Sequence, residues 1–156
     1  MRNLKECNGA YKSLIGECMF KLARNYAVIN KYWNKKKYFE IFGQYLNREQ
    51  MEFLNDYWHS IDAIEVNFRI GEKKIILYEI KTKNVYKKKL NFKPKITHSK
   101  VLLYKKAIKL GFEVKLAYIC LHNDWNFSIE FFNLSKTDYC IEIPEQYGRE
   151  NLHDFI

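Results

Sequence analysis

Two stretches of this sequence, Ser60–Val66 (SIDAIEV) and Ile75–Lys81 (IILYEIK), decide the fold. Both are rich in β-branched and aromatic residues, and both have about the length of a strand. Gly71 and Glu72 lie between them, and a glycine in the first position of a two-residue turn is typical of a tight hairpin. The sequence therefore predicts a β-hairpin that carries charged side chains on otherwise apolar strands.

The register of this hairpin decides which charges share a face. With Gly71 and Glu72 as the turn, Asp62 pairs with Lys81, and Glu79 lies on the same face. That face also carries a set of apolar residues, namely Ile64, Val66, Phe68, Ile75 and Leu77. A slip of one residue would move Asp62 to the opposite face. In the predicted register, Asp62, Glu79 and Lys81 cluster at the far end of a buried face.

Two carboxylates at the end of an apolar face are costly to bury unless they are paired or hold a cation. Lys81 supplies one positive charge, and a divalent metal ion would supply more. Hard cations such as Mg²⁺ bind a few carboxylate oxygens and keep several water molecules for chemistry. The pattern therefore indicates a metal site at Asp62 and Glu79.

Asp62, followed on the next strand by Glu79-Ile80-Lys81, resembles the Asp…Glu-x-Lys signature of the PD-(D/E)xK superfamily of restriction-endonuclease-like nucleases. Ile61 stands where many members have proline. The resemblance implies that Asp62, Glu79 and the carbonyl of Ile80 bind Mg²⁺ or Mn²⁺. It also implies that Lys81 orients or deprotonates the attacking water, and that cleavage of the phosphodiester bond frees a 3′-hydroxyl.

An amphipathic helix is predicted from about Asn8 to Asn25 by apolar residues at helical spacing. Within it, Gly16-Glu17 resembles the Gly-Glu pair in the first helix of several nuclease branches, where the glutamate reaches the metal site. On a helical wheel, however, Glu17 lies about 200° from Ile15 and away from the apolar stripe. Two interpretations of Glu17 stay open, a further catalytic residue and a solvated surface charge.

The other elements are predicted from capping residues and hydrophobic periodicity. In chain order they are a strand at Tyr26–Ile29, a basic loop at Asn34–Lys37, a helix at Asn47–Tyr57, a helix from Thr97 to Gly111, and strands at Phe112–Leu121 and Phe127–Asn133. A helix followed at once by an apolar strand suggests a parallel crossover. Over roughly residues 8 to 122 the order resembles the αβββαβ core of the same superfamily. We therefore expect an α/β, restriction-endonuclease-like fold with a mixed central sheet flanked by helices.

The charge balance points to a polyanionic partner. The chain has 27 basic and 18 acidic residues, a net charge of +9, and seven of its lysines lie in the fifteen positions from Lys81 to Lys95. The expected contacts with nucleic acid are Lys83, Lys87, Lys88, Lys89, Lys93 and Lys95 and, on the second core helix, Lys100 and Tyr104. The last two match the positions where RecB-like members carry Gln and Tyr, and the missing Gln argues against that branch. The alternative is a solvated, lysine-rich surface.

Length and composition favour one domain over residues 1–156, with 143–156 as a loosely attached tail, because 156 residues can bury a core without cross-links. The cysteines at 7, 18, 120 and 140 show no CxxC spacing, and neither a signal peptide nor a membrane-spanning run is evident. We therefore expect reduced thiols, no membrane partner and an intracellular, cytoplasmic location, which is the host cytoplasm if the protein is viral.

These features and the resemblance, which extends to archaeal resolvases and viral nucleases, predict a Mg²⁺- or Mn²⁺-dependent deoxyribonuclease, either an endonuclease or an exonuclease. The expected partner is DNA, double-stranded or branched, rather than RNA, and a homodimer is an open alternative. Two other functions would use the same residues. One is a non-catalytic nucleic-acid-binding module in which the acids form a structural ion cluster, and the other is a ribonuclease.

The lysine-rich segment generates a prediction about binding. Sequence-independent affinity for DNA should fall steeply with added salt, because each lysine that meets a phosphate releases condensed counterions. Changing Lys87, Lys88 and Lys89 together to alanine should reduce the slope of log affinity against log salt by up to about 3, at about 0.9 for each lost contact. Fluorescence anisotropy of a labelled duplex measures this slope. A wild-type slope near zero would argue against any nucleic-acid role.

Overall fold

The computed structural model describes residues 9–69, 71–84, 95–122, 126–134 and 141–143, and this part of the chain forms four α-helices and seven strands. The helices are α1 (Gly9–Ala23), α2 (Lys35–Phe42), α3 (Arg48–Tyr57) and α4 (His98–Lys109). The strands are β1 (Val28–Ile29), β2 (Ala63–Arg69), β3 (Glu72–Asn84), β4 (Lys95–Thr97), β5 (Glu113–Leu121), β6 (Phe127–Asn133) and β7 (Ile141–Ile143). Short 3₁₀ turns, Gly43–Tyr45 and Trp58–Ser60, follow α2 and α3.

Five of the strands form one mixed sheet in the order β1-β2-β3-β5-β6. β2 pairs antiparallel with β1 and β3, β3 pairs parallel with β5, and β6 returns antiparallel to β5. α4 lies on the connection between the two parallel strands, as the helix-then-strand pattern predicted. The expected α/β class and mixed central sheet are therefore confirmed. β4 and β7 pair in a separate two-stranded sheet.

The central hairpin differs in register from the prediction by two residues. Arg69 pairs with Glu72, so Glu72 belongs to β3 and not to the turn. Gly71 is the last residue before β3, and it adopts φ 75°, a positive value that glycine permits. Because side chains alternate with a period of two, a two-residue slip leaves each one on its predicted face. Asp62 lies just before the paired residues, where its N–H donates to the carbonyl of Tyr78 and its carboxylate accepts the N–H of Ile80, so it meets β3 next to Glu79.

Helices cover both faces of this sheet. On one face, Tyr38, Phe53, Leu54, Trp58, Tyr104 and Ala107 pack on Ile64, Ile75, Leu77 and Val114. On the other face, Phe20 of α1 packs with Ala63, Ile76, Tyr78, Ala117 and Ile119. Burial on both faces explains why β3 and β5 contain nearly continuous apolar runs instead of alternating ones.

The predicted basic loop at Asn34–Lys37 is wrong, because a helix, α2, begins at Lys35. Tyr38 of this helix is buried, and its ring stacks on Phe42 with the centroids 4.6 Å apart. These two residues are four apart and so lie on one helical face. Burial of that face, rather than the propensity of the preceding lysines, accounts for the helix.

The other helix ends follow their predicted signals. Asn47 caps α3, where its side chain accepts a hydrogen bond from the N–H of Gln50 and its own N–H donates to the Gln50 side chain. Thr97 occupies the N-cap position of α4, and Gly111 follows that helix with φ 93°. Capping residues therefore located α3 and α4 correctly.

The lysine-rich segment and the tail are only partly described. β3 continues to Asn84 and Lys95 opens β4, so the two ends of the segment are strands, while Lys87, Lys88, Lys89 and Lys93 lie outside the described residues. Ile143, the first residue of the predicted tail, pairs with Thr97, and residues 144–156 lie outside the described part. Within the described ranges, every helix is too short or too polar to cross a membrane.

The contact between α1 and β3 generates a prediction. A Cβ added to Gly16 would lie 1.9 Å from Thr82 Oγ1 and 3.1 Å from Thr82 Cβ, so the Thr82 side chain or the helix would have to move. Overpacking typically costs about 1–3 kcal/mol, which exceeds the gain of about 1 kcal/mol that alanine brings to a helix interior. Gly16→Ala should therefore lower the free energy of unfolding in urea, and Thr82→Ala should restore part of the loss.

Gly43→Ala is the matched control for this change. The nearest atom to its added Cβ is the terminal methyl of Met51 at 2.9 Å, which belongs to a flexible side chain. The free energy of unfolding of Gly43→Ala should therefore change less than that of Gly16→Ala. Equal losses in the two variants would contradict the close approach of α1 to β3.

Candidate active site

Asp62 lies between the 3₁₀ turn that follows α3 and the start of β2. Its N–H donates to the carbonyl of Tyr78 at 3.1 Å, and its carbonyl accepts from the N–H of Asn30 at 2.9 Å. Its side chain turns toward β3, where Oδ2 accepts the N–H of Ile80 at 2.7 Å. The main chain of two neighbouring strands therefore fixes the position of this carboxylate.

Glu79 is buried in the middle of β3, and its two oxygens face cationic and phenolic donors. Oε1 lies 3.5 Å from Lys81 Nζ, and Oε2 lies 3.3 Å from Lys100 Nζ and accepts the hydroxyl of Tyr104. Lys100 and Tyr104 are four residues apart on α4, so one face of this helix presents both to the sheet. Lys100 also donates to the carbonyl of Ser60. We refer to Asp62, Glu79, Lys81 and Lys100 as the carboxylate–lysine cluster.

The charges of the cluster act on one another because Glu79 is buried and Asp62, Lys81 and Lys100 are only partly exposed. Burial, followed by the negative charge of Glu79, raises the pKa of Asp62 to about 7. The N–H of Ile80 and the two lysines of the cluster lower it, without cancelling the effect of burial. Burial, together with the carboxylates of Glu79 and Asp62, raises the pKa of Tyr104, so that its hydroxyl stays a donor. The surroundings of Asp62 therefore favour either a proton or a bound cation.

The structure brings together the hairpin residues that the sequence singled out. Asp62, Glu79 and Lys81 lie at one end of the face shared by β2 and β3. Ile80 donates its N–H to Asp62, and the N–H and C=O of a strand residue point toward the same neighbour. The carbonyl of Ile80 is therefore directed to the Asp62 side of β3, where the sequence resemblance requires a third oxygen ligand.

Glu17 is held by a partner outside the cluster. Its carboxylate oxygens lie 3.1 and 3.3 Å from Lys31 Nζ, in a half-buried ion pair that joins α1 to the segment after β1. α1 packs on the face of the sheet opposite to Glu79. The structure thus assigns Glu17 an ion pair with Lys31, and its expected role at the metal site stays a prediction.

The predicted nucleic-acid contacts fall into three groups. Lys83 follows Lys81 on the same face of β3, and its pKa is lowered to about 8 by burial and by the charges of Lys81, Lys12 and Lys95. Lys83 and Lys95 therefore extend the positive charge of the cluster toward β4. Lys100 and Tyr104 face Glu79 instead, and Tyr104 is buried at 2% exposure. The third group, Lys87, Lys88, Lys89 and Lys93, lies outside the described residues.

Several groups that complete the cluster were missed by sequence reasoning. The carbonyl of Ser60 and the N–H of Asn30 are main-chain groups, which carry no signal in the sequence. The spacing of Lys100 and Tyr104 does signal a shared helical face. Nothing in the sequence, however, states that this face of α4 meets Glu79.

The oxygens that could hold a metal ion are those of Asp62 and Glu79 and the carbonyl of Ile80. In the described ranges, no group of three or more His, Cys, Asp and Glu side chains is arranged for a metal. Mg²⁺ is commonly bound by one or two carboxylates together with water molecules. Two carboxylates with a main-chain carbonyl are therefore a suitable donor set for Mg²⁺ or Mn²⁺.

The raised pKa of Asp62 predicts a pH-dependent stability in the presence of chelator. The folded protein keeps this proton up to about pH 7, whereas an unfolded Asp releases it near pH 3.9. The folded state then binds more protons between these pH values, so the free energy of unfolding should fall as the pH rises through this range, by on the order of 1–4 kcal/mol. Asp62→Asn, which keeps an acceptor for the Ile80 N–H, should lose this component.

Urea unfolding at several pH values measures the effect. Asp56→Asn, at an exposed position of α3, is the matched control and should keep the wild-type pH dependence. Parallel stability curves for wild type and Asp62→Asn from about pH 4 to 7 would contradict the shifted titration.

Comparisons with known proteins add no relative to this description. Searches of protein-family models, of curated proteins and of solved structures find no match to the chain. A function for the carboxylate–lysine cluster is therefore inferred from its own geometry and charge.

Proposed function

We propose that this protein is a metal-dependent deoxyribonuclease that hydrolyses phosphodiester bonds. The observation that carries the proposal is the convergence of Asp62, Glu79 and Lys81 at one end of the β2–β3 hairpin. These are the residue types and the strand spacing of the PD-(D/E)xK superfamily. The order of α1, β1, the hairpin, α4 and β5 further supports a restriction-endonuclease-like αβββαβ core as the fold.

The cluster fits a divalent cation on electrostatic grounds. Asp62 is partly buried beside Glu79, and its pKa of about 7 means that neighbouring positive charge does not fully offset burial and repulsion. Asp62 and Glu79 would hold Mg²⁺ or Mn²⁺ together with the carbonyl of Ile80, and water would complete the coordination. When bound, such an ion lowers the pKa of a coordinated water and polarises the phosphate.

Lys81 is the member of the cluster best placed to act on the attacking water. Its side chain is 36% exposed, whereas that of Glu79 is 4% exposed, so the ammonium group stands between the buried carboxylate and solvent. An ammonium group in this place can orient a water molecule and stabilise the negative charge that develops on the phosphate. Lys100 adds a second positive charge at Glu79 and also holds the carbonyl of Ser60, next to Asp62.

The charge of the protein supports a nucleic acid as the substrate. The net charge is +9, and Lys83 and Lys95 continue the positive charge from the cluster toward β4. Phosphate contacts of this kind provide affinity and register without reading base sequence. DNA is the proposed substrate, and RNA is the alternative that the same cleavage assay tests.

A non-catalytic nucleic-acid-binding module is the second candidate, and the contacts of Glu79 favour it. Both carboxylate oxygens already face donors, namely Lys81 on one side and Lys100 and Tyr104 on the other. A carboxylate satisfied in this way can serve as a structural ion pair that holds α4 against the sheet. Divalent metal separates the two functions, because only the nuclease requires it.

Replacing Glu79 tests the nuclease directly. Glu79→Gln should lower cleavage by at least about 100-fold, since even loss of a second-shell partner of a metal ligand costs about 10- to 100-fold. Binding to a DNA duplex in chelator should change less than about 2-fold, because lysines and not Glu79 provide the phosphate contacts. The assay uses labelled linear, circular, branched and single-stranded DNA and one RNA, each with Mg²⁺ or Mn²⁺.

Glu113→Gln is the matched control, since Glu113 is a partly buried carboxylate of β5 that pairs with Lys115 at 3.6 Å, away from the cluster. It should keep wild-type cleavage. Metal binding is read independently from thermal unfolding, where an ion at about 100 times its Kd stabilises the folded state by about 2.7 kcal/mol. A wild type that cleaves no substrate and is not stabilised by either metal would assign the cluster to the binding module.

A further inference from the structure

The turn between β1 and α2 exposes two adjacent aromatic side chains. Tyr32 and Trp33 are 77% and 68% exposed, and their ring centroids are 5.2 Å apart with an interplanar angle of 83°. Rings left in water contribute little to the stability of the fold, because the hydrophobic gain requires burial. Their position is therefore better explained by a partner than by packing.

Hydrogen bonds hold the turn in place although its rings are exposed. Asn34 donates its side-chain N–H to the carbonyl of Ile29 at 2.8 Å and accepts the N–H of Lys31 at 2.9 Å. The carbonyl of Lys31 accepts the indole N–H of the buried Trp58 at 2.8 Å, and the ammonium group of Lys31 pairs with Glu17. Both ends of the turn are thus fixed to the core, so the two rings project from a defined place.

β1 brings this turn close to the carboxylate–lysine cluster. The β1–β2 register places Asn30 opposite Asp62, and the N–H of Asn30 donates to the carbonyl of Asp62 at 2.9 Å. Trp33 lies three residues further on. Each residue spans at most about 3.6 Å, and paired strands are about 5.5 Å apart, so the Cα of Trp33 lies within about 16 Å of the Cα of Asp62. This span equals about five nucleotide steps at about 3.4 Å each. A strand of about five nucleotides with one phosphate at the cluster is therefore long enough to span the distance to this turn.

Lysines beside the rings complete the surface. Lys36 and Lys37 are exposed at the start of α2, and Lys35 donates to the carbonyl of Asn55. Aromatic rings next to lysines are the composition of surfaces that bind single-stranded nucleic acid, where bases stack and phosphates meet the cations. A continuous duplex keeps its base faces inside its own stack, so only unpaired nucleotides can use the rings.

We propose that Tyr32 and Trp33 form a stacking platform for unpaired bases, and that the substrate is DNA with a single-stranded segment next to the cleaved bond. Branches, flaps, frayed ends and single strands belong to this class, and uninterrupted duplex does not. The cleavage consequence rests on the proposed nuclease function. The binding consequence holds whether or not the protein cleaves.

Binding in chelator tests the platform without catalysis. The double variant Tyr32→Ala/Trp33→Ala should lose at least about 5- to 150-fold in affinity for labelled oligo-dT, which is the usual effect of removing a single stacking contact. Its affinity for a blunt duplex of the same length should change less than about 2-fold, and its salt dependence should not change, because no charge is altered. Tyr32→Phe/Trp33→Phe keeps the ring faces and should retain most of the affinity for oligo-dT.

Phe127→Ala is the matched control, since Phe127 is an exposed aromatic residue of β6 at the opposite edge of the sheet. It should bind both probes like wild type, and the unfolding midpoint of each variant should lie above the temperature of the binding assay. An alanine double variant that binds oligo-dT like wild type, or that loses affinity equally for both probes, would overturn the platform.

The same variants separate this inference from the proposed nuclease function. If the alanine double variant selectively loses oligo-dT binding but the wild type cleaves no substrate, the platform is supported and the proposed nuclease function is contradicted. If wild type cleaves and the alanine double variant keeps the wild-type ratio of cleavage on flap and on duplex, the enzyme stands and the platform is overturned.

Discussion

The negative charge of Glu79 is the constraint on which the arrangement of this protein depends. Its carboxylate is almost completely removed from water, and a buried carboxylate without partners would be strongly destabilising. β3 supplies Lys81 from two residues along the same face, and α4 supplies Lys100 and Tyr104 from consecutive turns. These contacts fix both the position and the rotation of α4 on the sheet. Lys100 extends the constraint to Ser60, which leads the chain to Asp62.

The site lies where the pairing of β2 with β3 stops. On one edge, β3 pairs with β2 as far as Tyr78, whereas on its other edge it pairs with β5 as far as Asn84. Asp62 occupies the boundary, where its carboxylate takes the N–H of Ile80 that a longer β2 would have paired. A side chain thus replaces a main-chain partner at the point where the strand edge opens. As a result, the carboxylate of Asp62 and the carbonyl of Ile80 lie on the same side of β3.

The sequence predicted the face of the hairpin more reliably than its register. Alternating side chains determine the face, and a two-residue slip preserves it, so Asp62 and Glu79 were correctly placed together. The register depended on whether Gly71 is the first or the second residue of the turn, and the neighbouring residues permit both positions. The mixed sheet and the crossover also followed from the pattern, since α4 is followed almost at once by the apolar strand β5.

Other features could not be predicted because they depend on packing between distant segments. Tyr104 was expected to contact nucleic acid, but the rotation of α4 on the sheet turns it toward Glu79. α2 was missed because its consecutive lysines suggested a loop, whereas Tyr38, Phe39 and Phe42 pack on the core and hold the helix against it. The exposure of Tyr32 and Trp33 also has no signal in the sequence, where aromatic residues in general predict burial.

The gradient of exposure through the carboxylate–lysine cluster bears on which function it serves. Tyr104 and Glu79 form a closed end, Lys100 and Lys81 lie progressively nearer to solvent, and Asp62 is partly buried at the strand edge where β2 no longer pairs with β3. A network that only holds α4 in place needs the closed end, because partly exposed ion pairs add little stability. Asp62 is also costly to such a network, since burial and Glu79 together disfavour its charge. A cation and a phosphate, by contrast, need an open end with a carboxylate beside an ammonium group. The presence of Asp62 at that end is therefore explained by chemistry more readily than by stability.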